Sequence, residues 1–148
     1  MAEERVFRSW LDYQTALRRA LLSLTADQLR HRPLPGRRTP GELAEHIVYA
    51  RALHLHRALG EAAQSVTPFL SWETANGSRS AGEIVHGLDV TWQVIADFVS
   101  RGTPTTDLPK ESALRSMQGV WGLLDHDLPH AGQLSLLLRA SGLPGVDI

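Results

Sequence analysis

Two histidines four residues apart, His126 and His130 in the run LLDHDLPHAG, are the clearest chemical signal in this chain. Spacing of i, i+4 sets both on one helix face, about one turn apart. Leu123, Leu134 and Leu137 continue that face at spacings of three and four, so the imidazoles are expected to point where the core points. Neutral imidazole is the commonest protein metal ligand, and a pair at this spacing can chelate one ion. Two ligands do not complete a site, so a third must come from another helix. His46 is the best placed, because it lies between Leu43 and Ala50 on an apolar stripe. His54 and His56 each lie about 80° around that helix from His46. His86 stands off the stripe of Ile84 and Leu88, and His31 falls in a loop. On spacing alone, histidines of the core or surface are the commoner reading, since so short a motif often arises by chance.

Pro129 stands between the two histidines. It lacks a backbone donor, clashes with the carbonyl of Asp125 and disfavours helical geometry at Leu128. Either the helix kinks and still presents both imidazoles, or it breaks and a new helix starts near Pro129, leaving His126 outside it.

Four helical segments must carry these residues. The first runs from about Glu4 to Leu24, with Phe7, Trp10, Leu17, Leu21 and Leu24 at helical spacing. RPLPGRRTPGE then breaks the chain. The second starts near Thr39, with Pro40 at its first position, Glu42 closing a capping box and Gly60 as its stop. Ser65 to Gly77 reads as a long connection. Ser80 and Glu83 repeat the capping pattern and open the third, whose face is Ile84, Leu88, Trp92, Ile95 and Phe98. RGTPTTDLPKES is the next loop. The fourth runs from about Ser112 to Ser141 and stops at SGLPG. No segment alternates with period two. The expected fold is all-α, a four-helix bundle over residues 1–148 as one domain, with connections of about 10–20 residues that exceed the usual bundle loop.

The 148 residues carry a formal net charge of −1, with 43% hydrophobic and 21% charged residues. No field of one sign argues for nucleic acid or an anionic membrane. No apolar run approaches a membrane span and MAEERVFRSW is no secretory signal, so a cytoplasmic protein is expected. There is no cysteine, so any metal must be held by His, Asp or Glu. The chain has no P-loop, no G-x-S-x-G elbow and no dinucleotide fingerprint. Glu83 and His86 form one Glu-x-x-His pair, but a di-iron site needs two such pairs with partner glutamates.

TPGELAEHIVYA, followed much later by LLDHDLPHAGQLSLLLRASGLPG, resembles the DinB/YfiT-like superfamily of metal-dependent proteins. The pattern is a histidine on the second helix, His-x-x-x-His on the last, and a Gly-Gln-Leu continuation, here His46, His126, His130, Gly132, Gln133 and Leu134. The resemblance extends over nearly the whole chain in order, spacing and length. It implies a facial three-histidine site of His46, His126 and His130, holding zinc, nickel or a similar divalent ion, with open positions for water or substrate. It also implies that Pro129 is a tolerated kink. A homodimer is expected on the same ground.

Three histidines with an open position form the catalytic arrangement, whereas structural zinc sites usually close all four positions. Some members of the superfamily are thiol S-transferases or isomerases that use bacillithiol or mycothiol. The resemblance thus implies a metal-dependent enzyme of the thiol S-transferase or hydrolase type, with a small-molecule substrate and a low-molecular-weight thiol as partner. The alternative is a non-catalytic bundle that binds metal or ligand in regulation or stress response. Around the site, Asp125 and Asp127 either orient a ligand imidazole or, as charged residues more often do, face solvent. Glu42 and Glu45 are expected to serve the first turn of the second helix. Arg51 and Arg57 either meet a substrate carboxylate or are solvated. Tyr49 is as well suited to the core as to the cavity. Trp10, Trp92 and Trp121 are expected in the core, and Trp72 over the site mouth.

Overall fold

The computed structural model describes residues 2–74, 76–101 and 110–147, with side chains placed from residue 4 onward and, in the last helix, from residue 116. Among these residues the chain is helical and contains no strand. The long helices are α1 (Ala2–Leu22), α3 (Pro40–Leu59), α4 (Ala81–Arg101) and α5 (Lys110–Ala140), with a short α2 (Ala26–Arg30) between the first two. These are the four helices expected of a bundle, plus α2. The expected loop after Arg101 falls largely on residues 102–109, outside the described residues.

Helix starts follow local chemistry. The Thr39 hydroxyl accepts the Glu42 N–H and the Glu42 carboxylate accepts the Thr39 N–H, with Pro40 where no donor is needed. Ser80 and Glu83 exchange the same two bonds. Thr25 and Gln28 form a third such box, at the start of α2. That helix was not expected, although its signal, T-x-x-Q ahead of Leu29, is written in the chain. At the other end of the chain, Gly142 takes φ +77 and the Leu143 N–H bonds back to the Leu138 carbonyl, closing α5.

The connection after α3 is also not a plain loop. Gly60–Glu73 is a 3₁₀ segment kinked at Ala63. Its buried residues are Ala63, Val66, Phe69 and Trp72, spaced every third position. A 3₁₀ helix has three residues per turn, so this spacing gives it one continuous apolar edge. A search for the α-helical period misses it. Trp72 is therefore a buried member of this segment, against Phe69 and under the Arg79 guanidinium at 4.1 Å.

Helix α3 is central and packs against α2, the 3₁₀ segment, α4 and α5, while α1 packs on α4. Trp10, Trp92 and Trp121 meet between α1, α4 and α5, with the Trp10 ring centroid 5.7 Å from Trp92 and 5.9 Å from Trp121. Trp10 is buried in the core as expected, and the other two are half-buried against it. Close approach is bought with glycine. A Cβ on Gly87 would stand 2.6 Å from Val48 Cγ1 and 3.3 Å from Phe69, and one on Gly119 would stand 2.7 Å from the Ala58 Cβ. Val48 is β-branched and cannot easily turn away. Gly87→Ala is therefore expected to cost about 1–3 kcal/mol through overpacking, read as a lowered Tm. No helix among the described residues is long and apolar enough to cross a membrane.

Candidate metal centre

Helices α3 and α5 run antiparallel along their contact. His46 meets His130, His54 meets His126, and Ala58 accepts a hydrogen bond from Ser116. Helix α5 is continuous through Pro129, so the outcome in which it breaks does not occur. One nitrogen from each of His46, His126 and His130 lies within 4.8 Å of the other two. Their ring centroids are separated by 4.6 Å (His126 to His130), 4.8 Å (His46 to His130) and 5.9 Å (His46 to His126).

All three rings are half-buried. They border the core and do not lie within it, as the leucine spacing had suggested. The buried line of α5 is Val120, Leu123, Asp127, Ala131, Leu134 and Leu138. His126 and His130 sit beside that line, where imidazoles can reach both α3 and solvent.

Two features of the rings suit ligation. His130 Nδ1–H donates to Gln133 Oε1 at 2.9 Å, which leaves Nε2 as the free acceptor. His126 Nδ1 is buried and has no hydrogen-bond partner, an unmet polar group of the kind that usually marks a missing one. Burial is the main reason that the His46 pKa is pushed down to about 4, with Arg38 and the other two histidines adding to the effect. Burial likewise lowers His126, helped by His130 and His54 and opposed by Asp127. Both imidazoles are thus held neutral, the form that ligates. The residues fit a divalent ion by donor type and number, with His46 and His126 held neutral. Among the described residues no carboxylate or further histidine joins the group, so three protein donors would leave positions open.

The lowered pKa values have a consequence for stability. The unfolded histidines bind protons at a higher pH than the folded ones, so stability rises with pH between about 4 and the ordinary histidine value. Metal-free protein is expected to lose Tm as pH falls from 6.5 to 4. His46→Gln should flatten that slope, as scanning calorimetry across the range would show.

The structure also places the surrounding candidates. His54 stands 5.3 Å from the His126 ring, its Nδ1 bonded to the Ala50 carbonyl, but it is outside the group of three. His31, His56 and His86 are exposed, as are Asp125 and Arg57. Tyr49 is half-buried against the core. Glu42 serves the α3 cap, whereas Glu45 does not. Its fully buried carboxylate accepts the N–H groups of Gly77 and Arg79, both at 3.0 Å, and pairs with the Arg79 guanidinium at 3.6 Å. It thereby ties the approach to α4 onto the helical turn that bears His46.

Arg51 and Asp127 depart furthest from expectation. Both are fully buried, with Arg51 Nε and Nη2 each 2.8 Å from Asp127 Oδ2. Arg51 Nη1 donates to Gln14 Oε1 at 2.7 Å. Burial pulls the Arg51 pKa down, but the charges of Asp127 and Tyr13 and the hydrogen bonds to both together hold it above its usual value. A signal for this pair was present. Asp127 interrupts the line from Val120 to Leu138, and Arg51 interrupts the line of Ala44, Val48 and Leu55. Opposite charges on two core-facing stripes imply a buried pair.

An all-helical bundle with three imidazoles converging from two antiparallel helices is the class that the fold and the site define. The family model of the DinB superfamily matches residues 11–134, a span that includes all three histidines, and the chain belongs to that superfamily. No curated protein and no solved structure matches it.

Proposed function

We propose that this chain is a metal-dependent enzyme of the thiol S-transferase or hydrolase type, with one zinc or nickel ion on His46, His126 and His130. The observation that carries this reading is the convergence of three imidazole nitrogens within 4.8 Å, with no fourth protein donor in the group among the described residues. A divalent ion held this way lowers the pKa of a thiol or water at an open position and so supplies a nucleophile at neutral pH. The chain itself has no cysteine, so a thiol nucleophile must be a small-molecule thiol. The thiol would give up its proton to solvent, its sulfur would form the new bond to the electrophile's carbon, and the leaving group would depart with the bonding pair. The protein's own part is to hold three imidazoles in place and to keep His130 turned by Gln133.

Cobalt-substituted protein titrated with low-molecular-weight thiols tests this reading. A sulfur-to-cobalt charge-transfer band, together with conjugation of the thiol to a fluorogenic electrophile, is expected. A cobalt spectrum that no thiol alters, with no conjugation or hydrolysis across a panel of substrates, would overturn it in favour of a non-catalytic metal-binding bundle.

A further inference from the structure

We propose that the buried Arg51–Asp127 ion pair, with Gln14, is a positioning device that sets the register of α5 against α3 and so brings His126 and His130 opposite His46. The inference rests on the metal-site reading for its purpose and on the packing of the two helices for its mechanism.

Away from the histidines, the register of α5 on α3 is marked by the close approach of Gly119 to Ala58 and by the Ser116–Ala58 hydrogen bond. Beside the histidines, the buried neighbours on α5 are Leu123, Ala131, Leu134 and Leu138, whose apolar contacts are non-directional. Helix α5 also has a weakness where it matters most. Pro129, between the two histidines, removes the backbone bond to the Asp125 carbonyl. Rigidity at the site must therefore come from outside α5.

Asp127 is where it arrives. This residue lies between His126 and His130 in the chain, and about 100° around the helix from His126. Its side chain is thus buried against Arg51 of α3, while the half-buried imidazoles lie nearer the surface. Arg51 Nε donates to Asp127 Oδ2, with Nη2 as an ion-pair contact to the same oxygen, and the Tyr13 hydroxyl gives the Asp127 backbone carbonyl a long hydrogen bond of 3.4 Å. Gln14 fixes the remaining face of the guanidinium and donates in turn to the Leu88 carbonyl at 3.4 Å. Residues from α1, α3, α4 and α5 therefore converge on the turn that bears the two α5 histidines. A slide of one helical turn, about 5.4 Å, or a rotation by one residue would leave both charges buried and unpaired. A buried polar contact is directional where leucine packing is not, which is its best-attested use in specifying register.

The test replaces the device by apolar groups of similar size, in the triple variant Gln14→Leu, Arg51→Met and Asp127→Leu. Such replacement of a buried ion pair is often neutral or stabilising, so the fold is expected to survive. Two readouts are taken. In metal-free protein, NOEs between the His46 and His130 ring protons report the 4.8 Å approach directly. In parallel, cobalt affinity and the ligand-field spectrum report the assembled site. The variant is expected to melt cooperatively, lose the ring-to-ring NOEs and bind cobalt about 10–100-fold more weakly. Retention of the NOEs in the folded variant overturns the inference, whatever the affinity. If the NOEs are lost but wild-type protein binds no cobalt, the register device stands and the metal reading fails. If the triple variant shows no cooperative transition, Arg51→Lys carries the test, since it keeps the charge but cannot bond Asp127 and Gln14 from two fixed nitrogens at once; loss of the NOEs is then expected, and their retention overturns the inference.

Discussion

His130→Ala is expected to leave the protein without bound metal. Tag-free wild-type protein, loaded with zinc or nickel and desalted, should carry about one divalent ion per chain by elemental analysis, and the variant close to none. His130 is the nearest to both other rings, and its Nε2 is the one nitrogen whose freedom a hydrogen bond to Gln133 guarantees. Its loss leaves two imidazoles on different helices, a poor chelate. The effect should exceed the roughly 10–100-fold that loss of an outer orienting group costs. Gln133→Ala supplies that internal comparison, with an affinity between wild type and His130→Ala. His54→Ala should retain the ion, because His54 contacts His126 without joining the group of three. Zinc should also raise the wild-type Tm, by about 2.7 kcal/mol of stability at 100 times Kd, and leave that of His130→Ala unchanged. A wild-type protein that takes up no ion after loading would sink the metal site altogether.

Asp127→Asn is expected to be the most destabilising single change at the site, although Asp127 touches no ligand. It leaves the fully buried Arg51 guanidinium without a counter-charge. Removing one partner of a buried pair costs about 3–5 kcal/mol, against a total stability of about 5–15 kcal/mol for a protein of this kind. At about 2–4 °C per kcal/mol for chains near this length, Tm should fall by roughly 6–20 °C. The exposed pair of Arg18 and Asp89, at a similar separation of 3.1 Å, makes the contrast. Asp89→Asn should cost under about 1 kcal/mol, because solvent screens the charges and holding two long side chains still costs entropy. Thermal unfolding of both variants without metal separates the two cases. Equal, small shifts would mean that the Arg51 site relaxes to admit water.

Residue types and short spacings were enough to mark the helices. The capping boxes at Thr39 and Ser80 and the glycine stop after α5 act through bonds among neighbours in the chain, and they form in the structure as the residues foretell. The i, i+4 histidines were legible for the same reason, since one continuous helix carries both. His46 could be proposed from its stripe and from the family pattern, but only the antiparallel packing of α3 on α5 brings its ring to within 4.8 Å of His130. The 3₁₀ segment was missed because its apolar edge has period three, and α2 because five residues carry almost no periodic signal. Arg51 and Asp127 were each visible as a charge on an apolar stripe. Their identity as partners was not, because 76 residues separate them and only the tertiary fold selects one long-range pairing. The chain by itself thus determined which groups are available and which local elements carry them. The fold decided which groups meet, because burial and hydrogen bonding between distant segments are satisfied together only in one arrangement of the helices.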